Sequence, residues 1–328
     1  MELSVHLLQP PDSDLLACLR AELDPDVRLT LGPDPADPAD YHILVAGRPR
    51  PELVRASPDL RALIIPWSGL PDTTRALMLD FPHIAVHNLH HNAAPVAEMV
   101  VTLMLAAAKS IVPVDRTFRT HDWTPRYQPN LSVLLEGKCA LVLGYGAIGR
   151  RVARACRGLG MQVLATRRNV SAPPVSAPDE IHPPDALDYL LGRADALLIC
   201  LPHTPETDGL VGKRELALLP RSAVLVNVGR GSIVDEAALY RALRDGTLYA
   251  AGLDVWYNYP ASGDKEARSH TPPSDFPFHE LENVVMSPHR SGWSIETQAQ
   301  RMVHLAALLN AAARGKAMPN KVDVQAGY

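Results

Sequence analysis

Residues 138–169 read KCALVLGYGAIGRRVARACRGLGMQVLATRRN, and the order of features along this stretch sets the fold class. CALVL has the unbroken apolar character of a strand covered on both faces. GYGAIG follows at once, then IGRRVARACRGLG, with helical spacing of its apolar residues and a stop at Gly160 before a second apolar run, QVLAT. In that strand, turn, helix, strand setting the glycines, Gly144, Gly146 and Gly149, permit the tight turn and the close approach of backbone to a pyrophosphate. Ala147 and Ile148 begin the helix whose N-terminal amides would face the phosphates. Three glycines at this spacing also occur in ordinary turns, and only the βαβ setting argues for a dinucleotide site. About 20 positions on, an acidic residue would hydrogen-bond the ribose 2′-hydroxyl of NAD. That place holds Arg167, with Arg168 beside it. Two guanidiniums suit a 2′-phosphate, so NADP is the expected cofactor; NAD is the alternative, with both arginines solvated.

The same alternation extends in both directions. Downstream come ALDYLLGRAD, ALLICLP, KRELALL, AVLVNVG, DEAALYRALRDG, YAAGLDV and NVVMSPH, repeated strand and helix units that argue for an α/β, doubly wound parallel sheet. The Pro-rich segment 172–185 reads as a surface connection inside this sheet. Upstream of residue 90, LSVHLL, YHILVA, LRALIIP and HIAVHN mark a smaller α/β unit. Between the two, PVAEMVVTLMLAAAKSIVPVDRTFR reads as one long helix, apolar nearly all round and therefore buried.

The totals exclude several function classes. In 328 residues, 47% hydrophobic and 21% charged with a net charge of -4, nothing calls for nucleic acid or an anionic membrane as partner. The longest apolar stretch, near Met99 to Ala108, is about half a membrane span, and the start lacks the basic and apolar regions of a secretory signal. Cys18, Cys139, Cys156 and Cys200 show no metal or disulfide spacing, which fits a reducing cytoplasm.

Six motifs occur in order: NAAPVAE (92–98), GYGAIG, LPHTPET (201–207), VNVGRGSIVDEAAL (226–239), AGLDV (251–255) and SPHRSG (287–292). Together they resemble the D-isomer-specific 2-hydroxyacid dehydrogenase family, in its glyoxylate/hydroxypyruvate reductase or phosphoglycerate dehydrogenase-like branches. The resemblance implies a central Rossmann domain, expected over 96–293, and a smaller flavodoxin-like substrate domain from both chain ends, 1–95 and 294–328. It implies a homodimer acting on a small 2-keto or 2-hydroxy acid. Arg230 would bind the substrate's carboxylate and keto oxygens, as a planar fork can. His289 would be the general acid/base while a hydride passes between carbon and the nicotinamide. Ser68 and Gly69, in PWSGLP, would offer amides to the substrate carboxylate. Cys200, Pro202 and Thr207 would flank the nicotinamide, with Val228, Asp254, His289 and Gly292 completing the cofactor side. HNLHHN (87–92) has no acidic or cysteine neighbour, so no metal is expected.

In one respect the chain departs from that family. LDVWYNYP, residues 253–260, places Tyr259 where most members carry a glutamate that pairs with the catalytic histidine. A carboxylate would raise the histidine's pKa; a tyrosine can hydrogen-bond it but carries no charge near neutrality. Three readings follow: a working His289–Tyr259 pair with an acid-shifted optimum, rescue by Asp264, Glu266, Asp275 or Glu280 of the 261–280 insert, or a reaction needing little proton transfer, as in formate dehydrogenases. A non-catalytic NAD(P)-binding sensor is the alternative from another class. Trp256 and Tyr257 are expected to serve packing alone.

Overall fold

The computed structural model describes residues 2–36, 38–129, 132–170, 178–261 and 263–328. Two compact units emerge, one made of Met1–Asn92 with Trp293–Tyr328, the other of Ala93–Gly292.

The discontinuous unit holds a parallel sheet of β1 (Leu3–Leu7), β2 (Val27–Leu31), β3 (Ile43–Val45), β4 (Ala62–Ile65) and β5 (Ala85–Asn88). Their order is β2-β1-β3-β4-β5, the flavodoxin-like arrangement. The chain returns to this unit through the helix Thr297–Ala313, which lies on the helix Ser13–Glu22 and buries Met302, Leu305, Leu308 and Leu309 with Leu3, Val5 and Ile43.

The continuous unit carries β6 (Cys139–Leu143), β7 (Gln162–Thr166), β8 (Glu180–His182), β9 (Ala196–Ile199), β10 (Val224–Asn227), β11 (Ala250–Leu253) and β12 (Val284–Met286). All pair in parallel, in the order β12-β11-β10-β9-β6-β7-β8. The order reverses between β6 and β9, the switch point of a Rossmann sheet. Every residue of β6, β9, β10 and β11 is buried, as expected of strands covered on both faces. One cover is the helix Ala93–Ala108, which approaches β11 so closely that a Cβ on Gly252 would sit 2.7 Å from Leu103 Cβ.

Three local readings need correction. The expected single long helix is two, Ala93–Ala108 and Ile111–Phe118, bent by 65°. Ser110 between them takes a left-handed φ of 50°, and Pro113 cannot supply the amide that a continuous helix would need. The edge strand β2 was absent from the expected set: VRLTL is only partly buried and its apolar residues alternate with Arg28 and Thr30. The segment 172–185 is not all connection, because Glu180–His182 adds β8 to the sheet edge; residues 172–177 lie outside the described residues. Among those described, no single helix is long and apolar enough to cross a membrane.

Candidate active site

Because the seven strands of the continuous unit are parallel, whatever follows their carboxyl ends gathers along one edge of the sheet. Gly144 follows β6, Arg167 follows β7, Cys200 follows β9, Val228 follows β10, Asp254 follows β11, and His289 lies three residues beyond β12. Ser68 and Gly69 lie in the other unit, after β4, where the Asn88 amide donates to the Ser68 carbonyl at 2.7 Å.

At the fingerprint the three glycines have separate uses. Gly144 has φ +96°, and a Cβ there would meet the Cys200 carbonyl at 3.0 Å. A Cβ on Gly149 would stand 2.0 Å from the Gly144 carbonyl oxygen, so helix and turn can touch only without one. Around Gly146 the space is open, with nothing within 4 Å of a would-be Cβ. The helix Ala147–Gly158 starts there without a side-chain cap. Bare backbone and uncapped amides are what a pyrophosphate requires, so these residues fit a nicotinamide dinucleotide. Arg167 is half-buried and its amide donates to the His182 carbonyl, while Arg168 pairs with Glu206 at 3.6 Å. Thr207 knots the next loop: its hydroxyl donates to the Pro202 carbonyl at 2.8 Å and accepts from the Thr204 amide at 2.8 Å. Burial pushes the Cys200 thiol up to about 12, so it remains neutral. Val228 is buried beneath the loop that follows β10, its amide donating to the Ile199 carbonyl, and Gly292 closes the unit.

Arg230 sits on a loop built by Asn227, a residue that sequence reasoning did not single out. The buried Asn227 amide group donates to the Arg230 carbonyl at 2.9 Å and accepts from the Gly229 amide at 3.0 Å. A polar residue closing an otherwise apolar strand, VLVN, is the signal that was available. Arg230 Nη1 donates to the Gly229 carbonyl, and the guanidinium is in no ion pair among the described residues.

Asp254, expected beside the cofactor, is fully buried, with its carboxylate turned to the His289 loop. It accepts from the Ser287 hydroxyl, the Arg290 amide at 2.9 Å and the Ser291 amide at 3.0 Å. These bonds bracket His289, which is held at φ 53°, a conformation that non-glycine residues seldom adopt. Asp254 is thus a positioning residue, and Ser287 a second one.

Tyr259 Oη lies 2.8 Å from His289 Nδ1 and accepts from the Trp256 amide at 3.1 Å. The phenol can give its hydrogen to an unprotonated Nδ1 or accept from Nδ1–H, so it can hold the ring whichever nitrogen carries the proton. Withdrawal from water, and then the charge of Arg230, hold the imidazole below its usual 6.5, against an opposing pull from Asp254. The phenol is pushed above its usual value, chiefly by burial, so it stays uncharged.

The insert does not supply the partner instead. Asp275 accepts from the Asn258 side chain, Asp264 accepts from the amides of Glu266 and Ala267, and Glu280 faces His279 at 4.0 Å. None of the four acids is bonded to His289 among the described residues. Trp256 and Tyr257 do pack: Trp256 is buried edge-on to Phe278 and donates to the Ser287 carbonyl, and Tyr257 donates to the Val234 carbonyl. In HNLHHN, His87 Nδ1 meets the Pro319 carbonyl at 2.8 Å.

The sequence model for "D-isomer specific 2-hydroxyacid dehydrogenase, NAD binding domain" matches residues 101–291. A glyoxylate reductase of Korarchaeum cryptofilum is 34% identical over 232 residues, and another from Aeropyrum pernix 36% identical over 237. Each alignment takes in 69% of this chain and 65% of the relative, so the chain spans just under two thirds of these relatives' length. A D-isomer specific 2-hydroxyacid dehydrogenase from Xanthobacter autotrophicus Py2, crystallised with NADPH and MES, superposes with a TM-score of 0.79 at 26% identity over 100% of both chains. The family match runs over more than half of the chain and takes in every strand-end loop of the Rossmann sheet, and on that ground the chain belongs to the D-isomer specific 2-hydroxyacid dehydrogenase family.

Proposed function

We propose that this protein is an NADP-preferring reductase of small 2-keto acids such as glyoxylate or hydroxypyruvate. The observation that carries this reading is the His289–Tyr259 pair, set beside Arg230 on a loop that Asp254 holds in a left-handed turn. A binding module would have no use for an imidazole kept in a costly conformation against a hydrogen-bonding phenol. When bound, the dinucleotide supplies the hydride. Arg230 holds the substrate carboxylate and polarises the keto group with its fork. His289 delivers the Nε2 proton to the developing alkoxide, after which its Nδ1–H stays hydrogen-bonded to Tyr259. Tyr259 steadies the ring in both protonation states without the charge that would stabilise an imidazolium.

Arg167 and Arg168 at the ribose end of the fingerprint support NADP, and the Xanthobacter relative was crystallised with NADPH. A homodimer belongs to the same reading. Ile111, Val112, Phe118 and Trp123 are exposed in the segment after the core helix, with the Phe118 and Trp123 rings 4.8 Å apart, a ready apolar surface for a second copy.

The test is the loss of nicotinamide absorbance when purified protein meets NADPH, or separately NADH, with a panel of 2-keto acids between pH 5 and 8. Turnover with NADPH preferred is expected. Tight NADPH binding without turnover of any acid would overturn the reductase reading in favour of a sensor.

A further inference from the structure

His289 has no carboxylate bonded to its ring among the described residues. Its Nδ1 meets the Tyr259 phenol at 2.8 Å, while Asp254, the buried acid behind the same loop, accepts from the Ser287 hydroxyl and the Arg290 and Ser291 amides instead. The loops after β10, β11 and β12 bring the surrounding charges. Arg230 opposes the imidazolium and Asp254 favours it, with withdrawal from water the larger influence; Arg290, next along the chain, is exposed. Burial keeps the Tyr259 phenol uncharged. The ring is thus neutral at pH 8, where a glutamate in place of Tyr259 would keep more of it charged.

A neutral imidazole suits a C=N bond better than a C=O bond. Hydride addition to a keto carbon leaves an alkoxide that must receive a proton, so a neutral ring serves it badly. Hydride addition to a protonated C=N carbon sends the π pair to nitrogen and leaves a neutral amine, with no acid consumed. What the iminium N–H needs is an acceptor. With the ring hydrogen on Nδ1 and donated to Tyr259 Oη, Nε2 is that acceptor. An imidazolium supported by a glutamate would turn an N–H and a positive charge toward the cation.

We infer that the same site reduces 2-imino acids, the iminium products of a 2-keto acid and a primary amine or ammonia, to 2-amino acids, with neutral His289 accepting the iminium N–H at Nε2. Condensation in solution joins the amine to the keto carbon and releases water. One hydride from NADPH then adds at the iminium carbon, the C=N π pair becomes the lone pair of the amine, and NADP+ is the other product. The substrate carboxylate lies on the Arg230 fork, a role that rests on the keto acid reading. The two reactions divide by pH, the keto acid drawing on the imidazolium in acid and the imino acid on the neutral ring above it.

The test gives the full-length protein NADPH and glyoxylate or pyruvate at pH 6 and pH 8.5, with and without methylamine, and identifies the products by mass spectrometry. At pH 8.5 methylamine should raise NADPH consumption about tenfold or more, because a general acid withheld from the keto acid costs about a hundredfold or more. N-methylglycine or N-methylalanine should replace the hydroxy acid. In Tyr259→Glu the gain from methylamine should shrink about tenfold, as a carboxylate restores the imidazolium. Nitrogen-15 NMR, which needs no turnover, should show the His289 ring neutral at pH 8.5 with its hydrogen on Nδ1. Hydroxy acid as the sole product at either pH, with or without methylamine, would overturn the inference and leave the keto acid reading standing. A ring hydrogen on Nε2, or a methylamine gain that Tyr259→Glu leaves intact, would overturn it too. N-methylated product without any hydroxy acid would sink the keto acid reading alone, and no product of either kind would sink both. The first comparison uses the unaltered chain, so it stays decisive if Tyr259→Glu fails to fold.

Discussion

A histidine that works as a general acid needs its proton at the operating pH, and everything around His289 makes that proton easier to lose. Withdrawal from water and the Arg230 charge both destabilise the imidazolium, and Tyr259 offers no counter-charge. The proposed reduction would use the protonated form, so kcat/KM should fall as pH rises through a value below 6.5. Tyr259→Glu should move that limb to higher pH, because a carboxylate favours the charged ring. Tyr259→Phe should lower kcat/KM about five- to tenfold, roughly the worth of one neutral hydrogen bond. A pH-rate profile identical in all three proteins would remove Tyr259 from the mechanism. At the cofactor's other end, Arg167→Asp should weaken NADPH far more than NADH in a fluorescence titration, and equal losses would sink the assignment of the 2′-phosphate to this residue. The Tyr259 substitution could be counted off the sequence from Asp254, and so could the partner of the histidine. The task of Asp254 could not, since a buried carboxylate and one facing a ligand look the same in a motif, and only the bonds to Ser287, Arg290 and Ser291 separate them.

Strands buried on both faces announce themselves as apolar runs, which is why β6, β9, β10 and β11 were legible from sequence. Two edge strands, β2 and β8, were not, because a strand that needs only one covered side can carry Arg28, Thr30, Glu180 and His182 beside its apolar residues. The break at Ser110 escaped for a related reason: hydropathy continues through it, and only the backbone turn at φ 50° shows it. Gly252 presents the converse case, an unremarkable glycine in AAGL whose importance is set by another element. Gly252→Ala would drive a methyl into Leu103 of the core helix, where it meets Cβ, C and O, atoms that the helix backbone fixes. Overpacking of this kind costs about 1–3 kcal/mol. Urea unfolding should show that loss through a lower midpoint at constant m; a change under about 0.5 kcal/mol would mean that the helix simply shifts aside.

At the scale of the chain, the split unit is the feature with the plainest consequence. Residues 293–328 supply Met302, Leu305, Leu308 and Leu309 to the flavodoxin-like core. They also provide the Arg314–Asp24 ion pair and the Asn310 bond to the Glu22 carbonyl. Residues 93–292 form their own two-sided core around the seven-stranded sheet, with every member of its two apolar clusters drawn from that range. A chain ended after residue 292 should therefore lose the flavodoxin-like unit, whose one sheet face would be stripped, and keep the Rossmann unit. Circular dichroism should show a partial loss of helix, while NADPH fluorescence on binding should stay close to that of the full chain, because each of Gly144, Gly146, Gly149 and Arg167 remains on an intact scaffold. Loss of both signals in one cooperative step would mean that the Rossmann unit leans on the other for its stability.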